Sequence, residues 1–425
     1  MAPHMKALVF ENNMPRTVAT KLLGSLNPRF YVGAWSPMEL KDIPDPRLPR
    51  PDWVTIRTAL CGLCGSDYKQ VFLKGRYDNP MTALVSFPQV LGHEVVGYIE
   101  SVGPAVQQRR VGERVVLNPW LSCAPRGITP LCEWCQRGEF AECTNFTRGS
   151  IAPGIHHGNS SDATGGFAPM LPAHESQCIP IPDEVSFDEA VLADPFAVSL
   201  HATLHHPPPA TDTVLVYGCG TLGLLNIAIL RALYPQVRIL AIARYAHQTR
   251  LAQQFGAQRV IPWRPIDDVL KIVSEVTGAE RLQPWYGRPM LNGGVDVVYD
   301  SVGSPESVEV GVRMTRSRGR IVVTGVEMPK KFEWTPLYFK EIALIGSNAF
   351  AIEEHEGRRQ HAMEWYLEFV RTKRVDVTPI ITHRYRLDDY RDAFMTCYDQ
   401  GKSSAVKVLF EYPLPSSPSP SLGEG

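Results

Sequence analysis

Apolar positions keep two rhythms along this chain. Up to about residue 190 they come in short β-branched and aromatic runs, such as 53–60 and 95–102, punctuated by Pro and Gly. That pattern predicts an irregular, mostly β region. Ser186-Phe187-Asp188-Glu189 then reads as a capping box that opens helical spacing. From Thr213 onward strand-like apolar runs alternate with amphipathic helical ones, the mark of a parallel α/β sheet. Strands are predicted at 214–217, 239–243, 295–299, 321–324 and 342–345, with a helix over 222–233 between the first two. After about residue 348 the pattern is mixed again. The boundaries that follow are 1–194, 195–347 and 348–411. Residues 281–294, RLQPWYGRPMLNGG, read as an inserted surface loop, and the Pro/Ser-rich 412–425 as a disordered tail with too little apolar surface to order itself.

Charge and composition narrow the class. Lys plus Arg number 43 against 44 Asp plus Glu, so no global field draws nucleic acid or an anionic membrane, and small molecules are the expected partners. Apolar runs fall short of the roughly 18 residues that a spanning helix needs, and the N-terminus lacks a basic-then-apolar signal pattern. A cytoplasmic protein is expected. Nine cysteines, four of them between 123 and 143, suit thiolate metal ligands better than a disulfide framework.

Two stretches carry chemistry that can be named from their residues. VLVYGCGTLGLL supplies a strand, then Gly218-x-Gly220-Thr221-Leu222-Gly223, then an apolar helix. The glycines give a tight turn, bare backbone for a pyrophosphate and close helix packing, so this is a dinucleotide fingerprint. The next strand ends on Ala243, followed by Arg244 and Tyr245. The carboxylate that would bond a ribose 2′-hydroxyl is missing and a guanidinium that could grip a 2′-phosphate is present, so NADP(H) is expected over NAD(H). The alternative is a solvated Arg244 and a relaxed preference for NAD.

Cys123, Cys132, Cys135 and Cys143 are spaced C-x8-C-x2-C-x7-C, which suits a closed tetrahedral structural zinc. A zinc ribbon for nucleic acid and a set of unligated thiols are the competing readings. CGLCGSD, 61–67, could be a redox pair, half of a zinc knuckle or one metal ligand beside a bystander.

In combination and order, CGLCGSD, GHEVVGYIESVG (92–103), the four-cysteine stretch and the glycine fingerprint resemble the zinc-dependent medium-chain alcohol dehydrogenase family, over about residues 5–411. The resemblance implies a GroES-like, mostly β catalytic domain from 1–194 and 348–411, a Rossmann doubly wound domain over 195–347, and an active site between them. It makes Cys64 and His93 catalytic zinc ligands, with Asp194 of VLADPFAVSLHA third; Asp followed by Pro is also a helix cap. Glu94 matches a carboxylate that ligates transiently, and Asp67 a group that orients His93. Ser66 matches the first proton-relay hydroxyl, while Lys69 replaces the usual relay histidine. Ser301, Thr324, Gly325 and Val326 fall on the nicotinamide cleft, and Lys407 on a basic pyrophosphate contact.

The implied activity is reversible hydride transfer between NADP(H) and an alcohol, of the secondary, polyol or sugar type, in a homo-dimer or homo-tetramer. An NAD-preferring polyol, sugar or threonine-type dehydrogenase, and a non-catalytic NADPH-binding protein, are the alternatives. Segment 146–170 is expected to line or cover the cleft, with His156 and His157 as surface polar residues.

Overall fold

In the first half the β-branched runs become strands β1 (His4–Phe10), β2 (Met38–Pro44), β3 (Trp53–Gly62), β4 (Gln89–Val90), β5 (Glu94–Val102), β6 (Arg114–Leu117), β7 (Met170–His174) and β8 (Cys178–Pro180). They are seen in a computed structural model that describes residues 4–75, 79–325, 327 and 331–413. β3 is buried along nearly its whole length because it pairs with a neighbour at each edge, antiparallel to β5 and to β7. The β3–β5 register sets Cys61 against Val95 and Gly62 against Glu94, so the end of β3 and the start of β5 meet. Short helices interrupt this unit: α1 (Met14–Leu26), α2 (Gly65–Val71), α3 (Glu133–Arg137) and α4 (Phe187–Ala190). The mostly β reading misses α1, although Asn13 caps it and Pro15 sits in its first turn.

The chain divides into two compact units, Met1–Leu192 with Ile381–Gly425, and Ala193–Ile380. The second opens with α5 (Ala193–His205) and runs β9 (Thr213–Tyr217), α6 (Thr221–Leu233), β10 (Arg238–Ala243), α7 (Ala246–Gln254), β11 (Arg259–Pro262) and α8 (Ile266–Thr277). It continues through β12 (Glu280–Leu282), β13 (Met290–Asn292), β14 (Val295–Asp300), α9 (Pro305–Met314), β15 (Thr315–Val323), α10 (Thr335–Phe339) and β16 (Ala343–Gly346). The main sheet has the order β11-β10-β9-β14-β15-β16, all pairs parallel. The strand order reverses between β9 and β14, where ligands of doubly wound sheets bind. The 281–294 loop is largely a hairpin, β12 pairing with β13, with Trp285 and Tyr286 exposed.

A second hairpin, β17 (Ile352–His355) with β18 (Arg358–His361), precedes α11 (Ala362–Arg371). α11 packs on α5, the rings of Phe196 and Tyr366 lying 4.5 Å apart. That contact keeps 348–380 with the α/β unit, so the return to the first unit comes at Ile381 rather than at 348. The returning strands are β19 (Ile381–Tyr385) and β20 (Lys407–Glu411), and β20 joins β3 through Leu409 opposite Gly62. Tyr412, expected in the tail, is tied down, its N–H donating to Ala59 and its hydroxyl to the Gly166 carbonyl. Residues 414–425 of that tail lie outside the described residues. Among the described residues no helix is long and apolar enough to cross a membrane.

Candidate functional site

The turn after β3 builds the first cluster. Cys64 caps α2 with extended backbone, and its N–H donates to Asp67 Oδ2 at 3.0 Å. Asp67 Oδ1 lies 3.8 Å from His93 Nδ1, both residues being buried. Burial pushes the Asp67 carboxyl up, and the facing His93 works against that. Ligand atoms of Cys64, His93 and Glu94 all lie within 4.8 Å of one another. Thiolate, imidazole and carboxylate are donors that zinc accepts together, so this chain's residues fit the ion. Cys61 is fully buried in the apolar core of this unit and belongs to no such cluster among the described residues. The C-x-x-C is therefore one candidate ligand and one core residue, and neither cysteine is in a disulfide.

Gly62 and Lys407 place Glu94. A Cβ at Gly62 would come within 2.0 Å of Glu94 Oε2, so only bare backbone leaves room for the carboxylate. Lys407, expected at the pyrophosphate, is instead 2% exposed: its ammonium donates to the Leu63 carbonyl at 3.1 Å and pairs with Glu94. Lys407 opens β20, and its side chain is buried there rather than free to reach a cofactor. Ser66 is exposed and Lys69 half-buried on α2. Asp194 belongs to the other unit, buried in the first turn of α5, which begins at Ala193.

The four cysteines converge, all four sulfur atoms lying within 4.8 Å of one another. Cys143 Sγ is 3.6 Å from Cys123 Sγ and 3.9 Å from Cys132 Sγ. Sulfurs about 2.3 Å from one tetrahedral ion stand about 3.8 Å apart, so these two spacings fit a zinc held by thiolates. Backbone N–H groups of Cys132 and Asn145 and the Asn145 amide donate to these sulfurs, which favours thiolates. A hydrogen bond from Cys143 brings Cys135 down to about 5.

The second unit carries the fingerprint at its switch point. Gly218 has φ +91° and ends β9, while a Cβ at Gly223 would come 1.8 Å from the Gly218 carbonyl oxygen. A Cβ at Gly220 would meet nothing within 4 Å, the open approach a pyrophosphate needs. Thr221 and Leu222 start α6. Across the switch point, the buried Asp300 accepts the Val302 and Gly303 N–H groups, both at 2.9 Å, and its carbonyl accepts those of Thr324 and Gly325. The Ser301 N–H donates to the Tyr217 carbonyl, so these turns form one rim. Val326 lies outside the described residues. Ala243 is buried at the end of β10, and Arg244 is exposed, its guanidinium 5.6 Å from the Tyr245 ring and 5.9 Å from that of Trp263.

Residues 50–183 match the alcohol dehydrogenase GroES-like domain, and residues 221–369 the zinc-binding dehydrogenase domain. The chain belongs to the zinc-dependent medium-chain dehydrogenase family. It is an oxidoreductase of the alcohol dehydrogenase class. Sorbitol dehydrogenase of Arabidopsis thaliana is 28% identical, over 85% of this chain and 88% of its own length. L-idonate 5-dehydrogenase of Vitis vinifera is 27% identical, over 84% and 87%. The crystal structure of 2R,3R-butanediol dehydrogenase from Bacillus subtilis shares the fold, with a TM-score of 0.70 at 23% identity over 96% of this chain and all of that one.

In this dehydrogenase three residues near the sites escape sequence reasoning. His156, expected at the surface, lies against His93, the two rings tilted with centroids 4.5 Å apart. Its Nδ1 donates to the His157 carbonyl and its Nε2 accepts from Asn159; burial, then His93, pushes it down to about 3, so it is neutral. His157 is wholly buried between Thr164 and Gln177. Arg126, fully buried, donates to the carbonyls of Leu121, Arg148, Ile151, Ala152 and Gly154 and so organises the loop around the cysteines. Isolated His and Arg residues in Gly- and Pro-rich loops carry no periodic signal by which they could have been found.

Proposed function

We propose that this dehydrogenase interconverts a secondary alcohol of the polyol or sugar type and its ketone, using NADP(H) in preference to NAD(H). Cys64 and His93 would hold the reactive zinc, with Asp194 as third ligand and Glu94 as an exchangeable one. The observation that carries the metal assignment is the convergence of Cys64, His93 and Glu94 donors in one unit. Bound there, zinc would supply Lewis acidity toward the alcohol oxygen and a nicotinamide dinucleotide would supply the hydride acceptor or donor. The names of the curated relatives, sorbitol and L-idonate dehydrogenases, support the polyhydroxylated substrate class.

The chain's own groups then have separate tasks. Asp67, its carboxylate 3.8 Å from His93 Nδ1, would favour the tautomer with the proton on that nitrogen and leave Nε2 for the metal. Lys407 neutralises Glu94, so a second anion beside the site costs less. His156, neutral, walls the site without adding charge. Ser66 accepts the alcohol proton, and Lys69 passes it outward. Gly218 to Gly223 would hold the pyrophosphate of the dinucleotide, and Ser301, Thr324 and Gly325 would border its nicotinamide.

Support for NADP(H) comes from Ala243 and Arg244: no side-chain anion ends β10, and the next residue is a guanidinium flanked by two aromatic rings. A charge-assisted contact of about 1.5–3 kcal/mol makes Arg244→Ala raise KM for NADPH about 10- to 100-fold with KM for NADH unchanged. Steady-state kinetics over both cofactors and a panel of primary alcohols, secondary alcohols and polyols test the reading. A clear NADH preference in the unaltered protein would leave an NAD-preferring polyol dehydrogenase in its place.

A further inference from the structure

The α/β unit holds another set of metal-type donors that the alcohol chemistry does not use. His201 and His205 stand one turn apart on α5, their ring centroids 4.1 Å from each other. Spacing of four residues puts two imidazoles on one helix face, the arrangement by which helices present paired histidines to zinc. Glu353, on β17, reaches both: Oε1 is 2.6 Å from His201 Nδ1, and Oε2 is 3.1 Å from His205 Nε2. The Ala351 N–H also donates to Oε1, at 3.1 Å. One donor atom from each of the three residues lies within 4.8 Å of the other two.

Burial separates this trio from an ordinary surface ion pair. Side-chain exposure is 1% for Glu353, 12% for His201 and 41% for His205. A carboxylate so enclosed is costly to keep charged unless its partners are fixed. Here they are fixed: both histidine rings and the Ala351 N–H meet the Glu353 carboxylate. The set is therefore one anionic oxygen donor and two imidazoles, the ligand chemistry of zinc and its neighbours.

Geometry agrees. Ligand atoms about 2.1 Å from one tetrahedral ion stand about 3.4 Å apart, so opening the two contacts by less than an ångström would seat it. Glu353 and the histidines come from distant parts of the chain, so an ion among them would cross-link it.

We propose that His201, His205 and Glu353 form a binding site for a divalent transition ion of the zinc class, which clips the β17–β18 hairpin to α5. None of its ligands belongs to the other two metal clusters, and it does not rest on the assignment of the alcohol-oxidising centre.

Zinc per chain, counted by mass spectrometry in the full-length protein after loading with excess Zn2+ and desalting, tests the site. H201Q/H205Q and E353Q are each expected to hold one ion fewer than the unaltered protein while keeping its far-ultraviolet circular dichroism. Added Zn2+ should also raise the Tm of the unaltered protein by an increment that both variants lack. Should these variants fail to fold, H205Q, altered at the most exposed of the three side chains, is expected to weaken zinc binding at this site by about tenfold or more. Equal zinc content and equal Zn2+ affinity in a folded variant and the unaltered protein would overturn the proposal, leaving a hydrogen-bonded trio only.

Discussion

Lys407 and Glu94 meet in the interior of the first unit, each 2% exposed. Removing one partner of a buried pair strands the other charge, so Lys407→Met is expected to destabilise this unit by about 3–5 kcal/mol. Denaturant midpoints measure this, and the double variant Lys407→Met with Glu94→Gln should recover most of the loss. A cost as large in the double variant as in the single one would show that packing, not charge, governs the pair. At this scale the four cysteines were legible because ligand spacing within a short segment is itself the signal, whereas Cys64 and His93 stood out only through the family resemblance of CGLCGSD and GHEVVGYIESVG. Lys407 was not legible, because its direction depends on a strand pairing across 344 residues of chain to Leu63. His156 and Arg126 were hidden for a similar reason: their partners are backbone carbonyls and rings of an irregular loop, set only when it folds.

Elements with a long apolar signature were placed well. The predicted strands and the 222–233 helix match β9, β10, β14, β15, β16 and α6 to within a few residues at their starts and ends, except that β15 begins at Thr315. That strand opens with the charged Thr315-Arg316-Ser317-Arg318 stretch, which conceals it. β11 went unread since only Val260 and Ile261 are apolar in it, and the sheet rather than propensity makes it a strand.

Just after α10, Lys340 is 3% exposed and donates to the carbonyls of Arg313 and Thr315. Burial lowers it to about 8 from an ordinary 10.5. Between those two values the unfolded chain binds more protons than the folded one, so stability should rise as pH climbs through that window. The full gain is about 3 kcal/mol, and unfolding curves of Lys340→Met at several pH values should lack it. The cysteine lobe makes a separate prediction: chelation should release its metal and expose Cys123, Cys132, Cys135 and Cys143 to thiol reagents. Thiols that stay as accessible before chelation as after it would speak against a bound ion.

For the whole molecule the two-unit plan was visible in the change of hydrophobic rhythm, and the first boundary falls at 192 against an expected 194. Placing the C-terminal return at 348 went wrong because the hairpin and α11 look mixed in sequence, while Phe196 and Tyr366 bind them to α5. The homo-oligomer expected from the sequence resemblance would need an edge, and β16 ends the six-stranded sheet and is mostly exposed. Pairing of that edge with a second copy predicts that Ile345→Pro, which removes a backbone donor, shifts the mass measured by light scattering toward the monomer. An unchanged mass would place the subunit contact elsewhere.

Zinc content and alcohol turnover of Cys64→Ala, measured beside the unaltered protein, bear most directly on the catalytic centre. One fewer zinc per chain is expected, with kcat lower by about a thousandfold, or roughly 4 kcal/mol of lost transition-state stabilisation. A folded Cys64→Ala that keeps its full zinc complement and its turnover would contradict the assignment of Cys64 to the reactive ion.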